Sequence, residues 1–476
     1  MRRILNIVAK NWLLVLMFFC GIFLRFYRFS DFATFLGDQG RDAIVIKRML
    51  TFEHLPAIGA PTSVGQVYLG PFYYYFIAPW LLLFKFNPLG LTFGVALFSS
   101  LFILINYFIV KELFDKKVAL IAAFLTSFSY VLIDLSRFSW NPNLLPLFSL
   151  LTIYFFIKAL KTKKKLFYLL FGAFLSFSFQ LHYLALALFL PIIILALPKL
   201  ISKFPYSLIS LFSFIFFSFP LIIFDLRHQF LNSKNLISLF KTSSSIKTNL
   251  LKNILDTFST LNRYLFNTNF SNLINIILLI AIIIFLFTYL KRKKDQIFNF
   301  QLIFLLSLFV LSLYSGEKHP HYLAVLYPFY IIVISVFLST LLNSFWEKIL
   351  VIIFLITFVI LNFQKYNFLF YQGSNQLKTA QEVARTIFDN VKKKGFTVTA
   401  LPEKYSDSTY RYFLEIWKKR PIEKDSLEKA EELFVVCEKN CQPVIGNPQW
   451  DIAYFAPTKI EGEWNINSIR IYKLTR

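Results

Sequence analysis

Residues 91–110 have the sequence LTFGVALFSSLFILINYFIV and are followed at once by the charged segment KELFDKK. A helix of this length without a charged side chain can cross the hydrocarbon core of a bilayer, which is about 30 Å thick. Basic residues next to such a helix mark the cytoplasmic side of a membrane. The sequence therefore predicts a membrane-spanning helix that ends at a cytoplasmic turn over residues 111–117.

Apolar segments of this kind recur through most of the chain, which has 476 residues, 57% of them hydrophobic and 19% aromatic. The mean hydropathy is +0.59. The segments lack the alternation of apolar and polar residues that is typical of β-barrel strands. Their backbone N–H and C=O groups must therefore form their hydrogen bonds within helices. We predict an all-α polytopic membrane domain over residues 1–371 with about 11 to 13 transmembrane helices, the first of which is a retained span that starts near Trp12.

Basic clusters lie beside the apolar segments, as at Lys161 to Lys165 and Lys291 to Lys294, and the formal net charge is +24. Clusters in these places orient a membrane protein and attract anionic lipid. They indicate membrane lipids as partners and argue against nucleic acid. Counting spans from the basic N-terminus predicts a multi-pass protein of the plasma, or inner, membrane whose N-terminus is cytoplasmic.

Composition changes abruptly after residue 371, because residues 372–476 contain 17 basic and 14 acidic residues. We predict a small soluble α/β domain here, which an odd number of spans places outside the cytoplasm. The predicted elements are a helix over residues 375–394 and strands over residues 396–401, 433–437 and 469–474. Cys437 and Cys441 are either a disulfide, if the domain lies in an oxidising space, or two ordinary thiols.

Three polar segments interrupt the apolar pattern: GDQGRD at 37–42, SRFSWNPN at 136–143 and GEKHPHY at 316–322. The predicted topology puts all three on the outer side, the first of them in an outer loop over residues 30–67. No acidic residue lies at the middle of a span, which argues against a transporter. We therefore predict chemistry at the outer lipid–water boundary, with residues 233–272 as a flexible outer loop above it.

Asp38 is the candidate base, because a carboxylate at this boundary can take the proton of an acceptor hydroxyl. Gly37 and Gly40 are expected to let the backbone turn tightly around it. Asp38 is also a candidate ligand for a divalent metal; no other cofactor is predicted. The alternative is that Asp38 and Asp42 only neutralise Arg41 in a solvated loop.

Cationic side chains in the other two segments suit a phosphate leaving group, since guanidinium and ammonium groups bind phosphate. The alternative for these residues is contact with lipid headgroups, and His182 is as suited to a structural role as to a catalytic one. Tyr68 and Tyr73 to Tyr75 are interpreted as an interfacial belt on a helix that does not fully cross the membrane. The candidate cationic residues are Arg137, Lys318, His319 and His321.

Together, GDQGRD at 37–42, GPFYYY at 70–75 and KHPHY at 318–322 resemble the dolichyl-phosphate-mannose-protein mannosyltransferase-like proteins of glycosyltransferase family 39, whose relatives include the aminoarabinose transferases of lipid A. The similarity covers roughly residues 1–370. It implies a GT-C fold and a membrane glycosyltransferase of the cell envelope. Such an enzyme moves a sugar, with inversion, from a polyprenyl-phosphate donor to a hydroxyl of a lipid, glycan or protein on the outer face.

The resemblance also implies roles for individual residues. An acidic pair in the first outer loop is essential in this family, and its first member matches Asp38. Gln39 stands where the second acid is expected, which leaves Asp42 as the candidate second catalytic carboxylate. The residues expected to bind the donor phosphate or substrate are Arg41, Arg137, Asn141, His182, Lys318, His319, His321 and Tyr322. The alternatives are a translocator of polysaccharide or lipid-linked sugar and an O-antigen-type polymerase or ligase.

Overall fold

The computed structural model describes residues 11–62, 66–244, 249–291, 295–402, 405–424, 426, 428–439 and 441–476. The predictions made for Met1 to Lys10 and for Arg292 to Lys294 lie outside these residues. Helices dominate the chain as far as Phe363, and a small sheet follows near the C-terminus. The predicted fold class, an all-α membrane domain followed by an α/β unit, is confirmed.

Twenty α-helices are assigned in the described residues. The first ten are α1 Trp12–Phe26, α2 Phe29–Phe32, α3 Gly37–Leu50, α4 Phe72–Leu83, α5 Leu89–Leu113, α6 Lys116–Phe128, α7 Tyr130–Leu135, α8 Leu145–Lys161, α9 Lys165–Leu181 and α10 Phe189–Ala196. The others are α11 Leu200–Arg227, α12 Leu231–Ser244, α13 Leu250–Phe266, α14 Asn272–Lys291, α15 Asp295–Ser312, α16 Tyr327–Thr340, α17 Phe345–Phe363, α18 Gln376–Asn390, α19 Ser408–Ile416 and α20 Trp450–Phe455.

Four helices of the described residues are at least 18 residues long and apolar enough to cross a membrane, and seven shorter apolar helices accompany them. The seven shorter helices have only 10–17 residues each, so the count of about 11 to 13 spans stays a prediction. Large hydrophobic side chains are exposed along α11 and α17, as lipid-facing helices require. The four long helices are Leu89–Leu113, Asn141–Lys161, Lys203–Arg227 and Phe345–Phe363.

The helix that follows the first loop, α4, has 12 residues and is about 18 Å long, too short to cross a bilayer core. This agrees with the prediction of an incomplete crossing. The interpretation of its tyrosines as an interfacial belt is wrong for two of them, because Tyr73 and Tyr74 are 0% and 3% exposed. Both hydroxyls bind other protein groups instead.

The predicted flexible loop over residues 233–272 is also wrong, since most of it is helical in α12 and α13. The side chain of Asn249 accepts a hydrogen bond from the Leu251 N–H and so begins α13. Phe258, Leu261 and Leu265 recur on the buried face of this helix. Some of the Asn and Thr residues that suggested a loop lie on this buried face as well, where Asn262 donates to Asn275 at 2.7 Å and accepts from the Tyr330 hydroxyl at 2.6 Å.

The C-terminal α/β unit, which we define as Gln376 to Arg476, contains a four-stranded sheet in the order β1-β2-β4-β3. Strands β1 and β2 are parallel, and β4 pairs antiparallel with both β2 and β3. The sequence predicted the helix and three of these strands but missed β3, whose alternating pattern is largely exposed. The strands are β1 Phe396–Leu401, β2 Glu432–Cys437, β3 Lys459–Ile466 and β4 Ile469–Thr475.

The C-terminal unit docks through α19 onto α3, the polar helix that follows the first apolar helix. Arg48 binds the carboxylate of Glu415 with two hydrogen bonds of 2.9 and 2.7 Å. The aromatic ring of Tyr412 packs edge-on against Phe35, and its hydroxyl donates to the carbonyl of Phe86. Because Glu415 is 7% exposed, this ion pair is largely desolvated and fixes the two parts in register.

Close contact at this junction depends on glycines in α3. A Cβ atom at Gly37 would lie 2.4 Å from the Cβ of Ser406, and one at Gly40 would lie 2.5 Å from the backbone nitrogen of Thr409. The two glycines therefore let the C-terminal unit approach the helix, whereas the sequence interpretation assigned them a tight turn. Gln39 begins the same helix, since its Oε1 accepts from the Leu36 N–H at 3.0 Å.

Candidate functional site

The three polar segments that the sequence singled out meet in space. Thr34, just before the first segment, forms an isolated parallel bridge with Phe138 of the second. The hydroxyls of Tyr73 and Ser139 lie 2.5 Å apart. Trp140 packs against the ring of His321 in the third segment, with ring centroids 4.5 Å apart. The prediction that these segments form one site is therefore supported by their contacts.

A cavity of about 680 Å³ lies between the first two of these segments and the C-terminal unit, and no described residue of the third segment lines it. Its volume is that of a site for a small molecule or a sugar. The side chain of Asp38 lies in its wall and is 51% exposed, so its carboxylate is available to a ligand. The residues that line the cavity are Thr34, Leu36, Gly37, Asp38, Gln39, Arg41, Phe138, Trp140, Tyr405, Ser406, Ser408, Thr409 and Glu438.

Arg41 lies between the two acids of the first segment. Its Nη1 donates to Asp38 Oδ1 at 2.9 Å, while its Nε and Nη2 donate to Asp42 Oδ1 at 3.0 and 2.8 Å. The hydroxyl of Tyr74 donates to the same Asp42 oxygen. These carboxylates raise the pKa of Arg41 above its usual range despite burial, so it stays cationic.

The prediction that Asp42 is catalytic does not fit its position. Its side chain is 0% exposed, and burial raises its pKa although Arg41 and Tyr74 donate to it. A group without an exposed atom cannot take a proton from a substrate. In this structure the Oδ1 of Asp42 holds the guanidinium of Arg41 beside Asp38, while its Oδ2 has no hydrogen-bond partner among the described residues.

Arg137 also has a different role from the one predicted. Its Nη1 donates to the carbonyls of Leu24 and Arg25 at 3.0 and 3.1 Å, and its Nη2 donates to that of Tyr27 at 2.9 Å. Its guanidinium lies over the ring of Phe368 at 4.1 Å. These carbonyls end α1, where a cation is favoured, so Arg137 caps this helix rather than facing the cavity.

The histidines of the site form one ring cluster together with Tyr322. The ring of His321 lies 6.0 Å from that of His182, 5.8 Å from that of His319 and 4.4 Å from that of Tyr322. Burial lowers the pKa of His182 to about 4 and is also the main reason why that of His321 falls to about 3. Both are neutral at pH 7 in the free protein, whereas the sequence interpretation gave His321 a positive charge.

These pKa values predict a loss of stability in mild acid. A histidine in the unfolded chain has a pKa of about 6.5. Below this pH the unfolded chain therefore binds protons at residues 182 and 321, whereas the folded protein keeps both side chains neutral. The contribution is therefore fully present above pH 6.5 and is lost as the pH falls through the range below it. We expect the thermal midpoint of the ligand-free protein to fall between pH 7 and pH 5.

The measurement compares the wild type with His182→Gln and with His321→Gln at the two pH values. Glutamine at residue 182 can still accept from the Leu184 N–H, as Nδ1 of His182 does at 3.1 Å. In each variant, we expect the thermal midpoint to fall less between pH 7 and pH 5 than it does in the wild type. The matched control is His54→Gln at an exposed residue, and an equal effect of that control would contradict the assignment.

Lys318 is the candidate cation for an anionic ligand. It is 8% exposed, its Nζ lies 5.7 Å from the ring centroid of Tyr314, and within the described residues no carboxylate lies within 4.0 Å of it. Burial lowers its pKa below the usual range, while Asp256 opposes this. Its Nζ donates one long hydrogen bond, of 3.5 Å, to the carbonyl of Gly316. A largely buried ammonium group without an ion-pair partner is stabilised when a phosphate binds to it.

Asn141 is 1% exposed, and neither polar atom of its side chain has a hydrogen-bond partner among the described residues. Buried amides are almost always paired, so this side chain is suited to a bound ligand or water. His319 is exposed at the start of the turn Pro320–Leu323. Asn141, His319 and Tyr322 therefore remain candidates for contact with substrate.

The prediction left a divalent metal at Asp38 open. Among the described residues, no group of three or more His, Cys, Asp or Glu side chains is arranged to hold a metal ion. Asp38 is held by Arg41, and Glu438 is the other carboxylate of the cavity wall. These residues alone do not form a metal site, so no step of the chemistry below is assigned to one.

Of the residues that line the cavity, the sequence analysis selected Asp38 and Arg41 as site residues. Trp140 and Glu438 are two of the side chains that it missed. Trp140 lies in the second polar segment but was not selected, although it links the cavity to the histidine cluster. Glu438 comes from the C-terminal unit, to which no part of the site had been assigned. The signal that could have found it is the Cys437–Cys441 disulfide, which closes a short loop directly around Glu438.

Residues 69–223 match the sequence model of the dolichyl-phosphate-mannose-protein mannosyltransferase family. This range includes α4, the second polar segment and His182. No curated protein matches the chain significantly. The match confirms the resemblance that the sequence indicated for this part of the chain.

Solved structures share the fold over most of the chain. ArnT from Cupriavidus metallidurans bound to undecaprenyl phosphate has 12% identity and a TM-score of 0.61, with 98% of each chain covered. Its apo state gives 11% identity and the same TM-score. The oligosaccharyltransferase AglB from Archaeoglobus fulgidus, in complex with an inhibitory peptide and a dolichol-phosphate, has 14% identity and a TM-score of 0.51 over 87% of this chain and 64% of that chain. The predicted GT-C fold is therefore confirmed.

Proposed function

We infer from the family match and the fold that the chain is a multi-pass membrane glycosyltransferase of the GT-C class, and we propose that it moves a sugar from a polyprenyl-phosphate donor to an acceptor hydroxyl. The observation that carries this proposal is the half-exposed carboxylate of Asp38 in the wall of a sugar-sized cavity. The relatives support the donor class, because ArnT binds undecaprenyl phosphate and AglB binds a dolichol-phosphate.

In the proposed reaction, Asp38 takes the proton of the acceptor hydroxyl. The hydroxyl oxygen forms a bond to the anomeric carbon, and the bond between that carbon and the phosphate oxygen breaks. The electron pair leaves with the phosphate, so polyprenyl phosphate is released. Attack opposite the leaving group inverts the anomeric configuration. A base placed on its substrate contributes about 10²- to 10⁴-fold to such a step.

Arg41 serves to orient Asp38 in this scheme. One ion pair of 2.9 Å holds Asp38, while the paired contacts to Asp42 hold Arg41 itself. A carboxylate fixed in this way loses little rotational freedom when the acceptor binds. Arg41 is 28% exposed, so its guanidinium is also available to the substrate.

Lys318 is proposed to bind the donor phosphate, with Asn141, His319, His321 and Tyr322 nearby. A neutral histidine can still donate one hydrogen bond to a phosphate oxygen. Trp140 lines the cavity of Asp38 and also contacts His321 of this group. The lipid chain of the donor would lie along the apolar helices, while its phosphate lies at the level of the polar segments.

The proposed orientation places the cavity and the C-terminal unit on the outer face and the N-terminus in the cytoplasm. The basic flank at residues 111–117 and the cluster at Lys161 to Lys165 support this orientation. The Cys437–Cys441 disulfide also supports it, because disulfides persist in oxidising spaces.

The test is a transfer assay with the purified full chain in proteoliposomes. A polyprenyl-phosphate donor with a labelled sugar is supplied together with membrane lipids, glycans or proteins as acceptors. We expect label to move to one acceptor fraction while polyprenyl phosphate is released, and the product linkage to be inverted. Movement of intact donor across the bilayer without release of polyprenyl phosphate would instead show a translocator.

A further inference from the structure

Part of the cavity wall belongs to the C-terminal unit and packs against α3 beside Asp38. It contains Ser406, Ser408 and Thr409 together with the carboxylate of Glu438. The proposed transfer uses none of these residues. These side chains line the same cavity as the candidate base, and an acceptor has to bind next to that base.

Glu438 is held in place from two sides. Its backbone N–H donates to the carbonyl of Leu401 at 2.9 Å, and the buried hydroxyl of Tyr410 donates to its Oε1. The disulfide between Cys437 and Cys441 closes the loop that starts at Glu438. The carboxylate is therefore fixed at the end of β2, and it lines the cavity while only one of its oxygens is engaged by Tyr410.

Aromatic side chains form another part of the same cavity. The rings of Phe138 and Trp140 lie 6.1 Å apart, and both residues line the cavity. An aromatic surface packs against the apolar face of a sugar ring, whereas carboxylates and hydroxyls accept or donate hydrogen bonds at its edge. The hydroxyls of Ser406 and Ser408 bond to each other at 2.9 Å, and each retains further hydrogen-bonding capacity for a polyhydroxylated ligand. Aliphatic lipid would not use that capacity.

We propose that the 406–409 segment and Glu438 form a carbohydrate-binding acceptor subsite, in which the Glu438 carboxylate accepts a hydrogen bond from a sugar hydroxyl. The assignment rests on the proposed function, since it names the acceptor of that transfer as a glycan. It gives the C-terminal unit a direct part in substrate selection. Glu438 is a binding residue here, and Asp38 remains the base.

The test measures acceptor binding without the donor. The full chain in lipid nanodiscs is titrated with methyl glycosides of glucose, galactose, mannose and N-acetylglucosamine and with their disaccharides, and binding is followed by saturation-transfer NMR. A short peptide rich in Ser and Thr is the comparison ligand. We expect binding of at least one glycoside, weakened about tenfold or more in Glu438→Gln.

Glu438→Gln should preserve the fold, because the side-chain oxygen of glutamine can still accept the hydrogen bond from the Tyr410 hydroxyl. Glu463→Gln, at an exposed residue of β3, is the matched control and should bind like the wild type. Thermal midpoints of both variants establish that the chain is folded. Unchanged glycoside binding in Glu438→Gln, no glycoside binding by the wild type, or binding of the peptide alone would each overturn the proposal.

The transfer assay separates this proposal from the proposed function. If the donor is cleaved and Glu438→Gln raises the KM for the glycan acceptor with little change in kcat, both stand. If transfer occurs but the KM is unchanged, the acceptor subsite is wrong and the transferase stands. If the wild type binds glycosides through Glu438 but cleaves no donor, the carbohydrate subsite stands and the transfer reaction is wrong.

Discussion

Asp38→Asn is expected to lower the rate of sugar transfer by about 10²- to 10⁴-fold, the usual contribution of a general base. The asparagine amide has nearly the same shape but cannot take the proton of the acceptor. Arg41 keeps its two hydrogen bonds to Asp42, so α3 should stay in place. The measurement is label transfer from the polyprenyl-phosphate donor at equal amounts of folded protein.

Two controls make this result specific to Asp38. Asp31→Asn removes another exposed carboxylate, whose 3.4 Å ion pair with Arg28 contributes little in water, and should leave transfer unchanged. Binding of labelled donor should be retained in Asp38→Asn, because the proposed phosphate contacts lie around Lys318. Transfer at the rate of the wild type would show that another group is the base.

Gly40→Ala should also lower transfer strongly, by roughly 10²-fold, although residue 40 has no group that can react. The new Cβ would lie 2.5 Å from the nitrogen of Thr409 and 2.7 Å from the carbonyl carbon of Ser408. These are backbone atoms, so the 406–409 segment has to move away from α3. A shift of about 1 Å in a positioned wall can cost this much in rate.

The measurements are transfer rate, thermal midpoint and protease sensitivity of the C-terminal unit. In Gly40→Ala we expect a lower transfer rate, a lower thermal midpoint and faster proteolysis of the C-terminal unit, because that unit docks less tightly. Gly395→Ala is the matched control, since its Cβ would meet no atom closer than 3.6 Å and should have little effect. Wild-type transfer by Gly40→Ala would mean that the close contact at α3 does not shape the site.

The local pattern of the sequence was enough to predict most elements of the fold. Apolar segments long enough to cross a membrane predicted the helices around Leu89–Leu113 and Asn272–Lys291. Lipid offers no hydrogen-bond partner, so the backbone of such a segment has to form its hydrogen bonds internally. Strands β1 and β2 were predicted within one residue of their ends, since both are buried apolar runs. Amphipathic α13 was missed because its polar positions resemble a loop in composition.

The structure brings the segments of the predicted site into contact, and it gives several of their residues partners that the sequence did not indicate. Polar segments within an apolar chain stand out in sequence, which is why Asp38, Lys318 and the histidines were found. Burial and partners are not local properties. Asp42 and Arg137 looked like exposed charges, yet both are buried and engaged by groups of neighbouring helices. Burial likewise shifts the pKa of His321 to about 3.

The sequence by itself determined that this is a helical membrane protein with a small α/β unit and three polar segments, because hydropathy and periodicity act over neighbouring residues. The tertiary structure alone decided that Glu438 faces the same cavity as Asp38. That pairing depends on docking contacts such as Arg48 with Glu415, which are 367 residues apart in the chain. Contacts between residues so far apart in the chain arise when whole helices and strands pack together, so they cannot be predicted from the pattern of neighbouring residues.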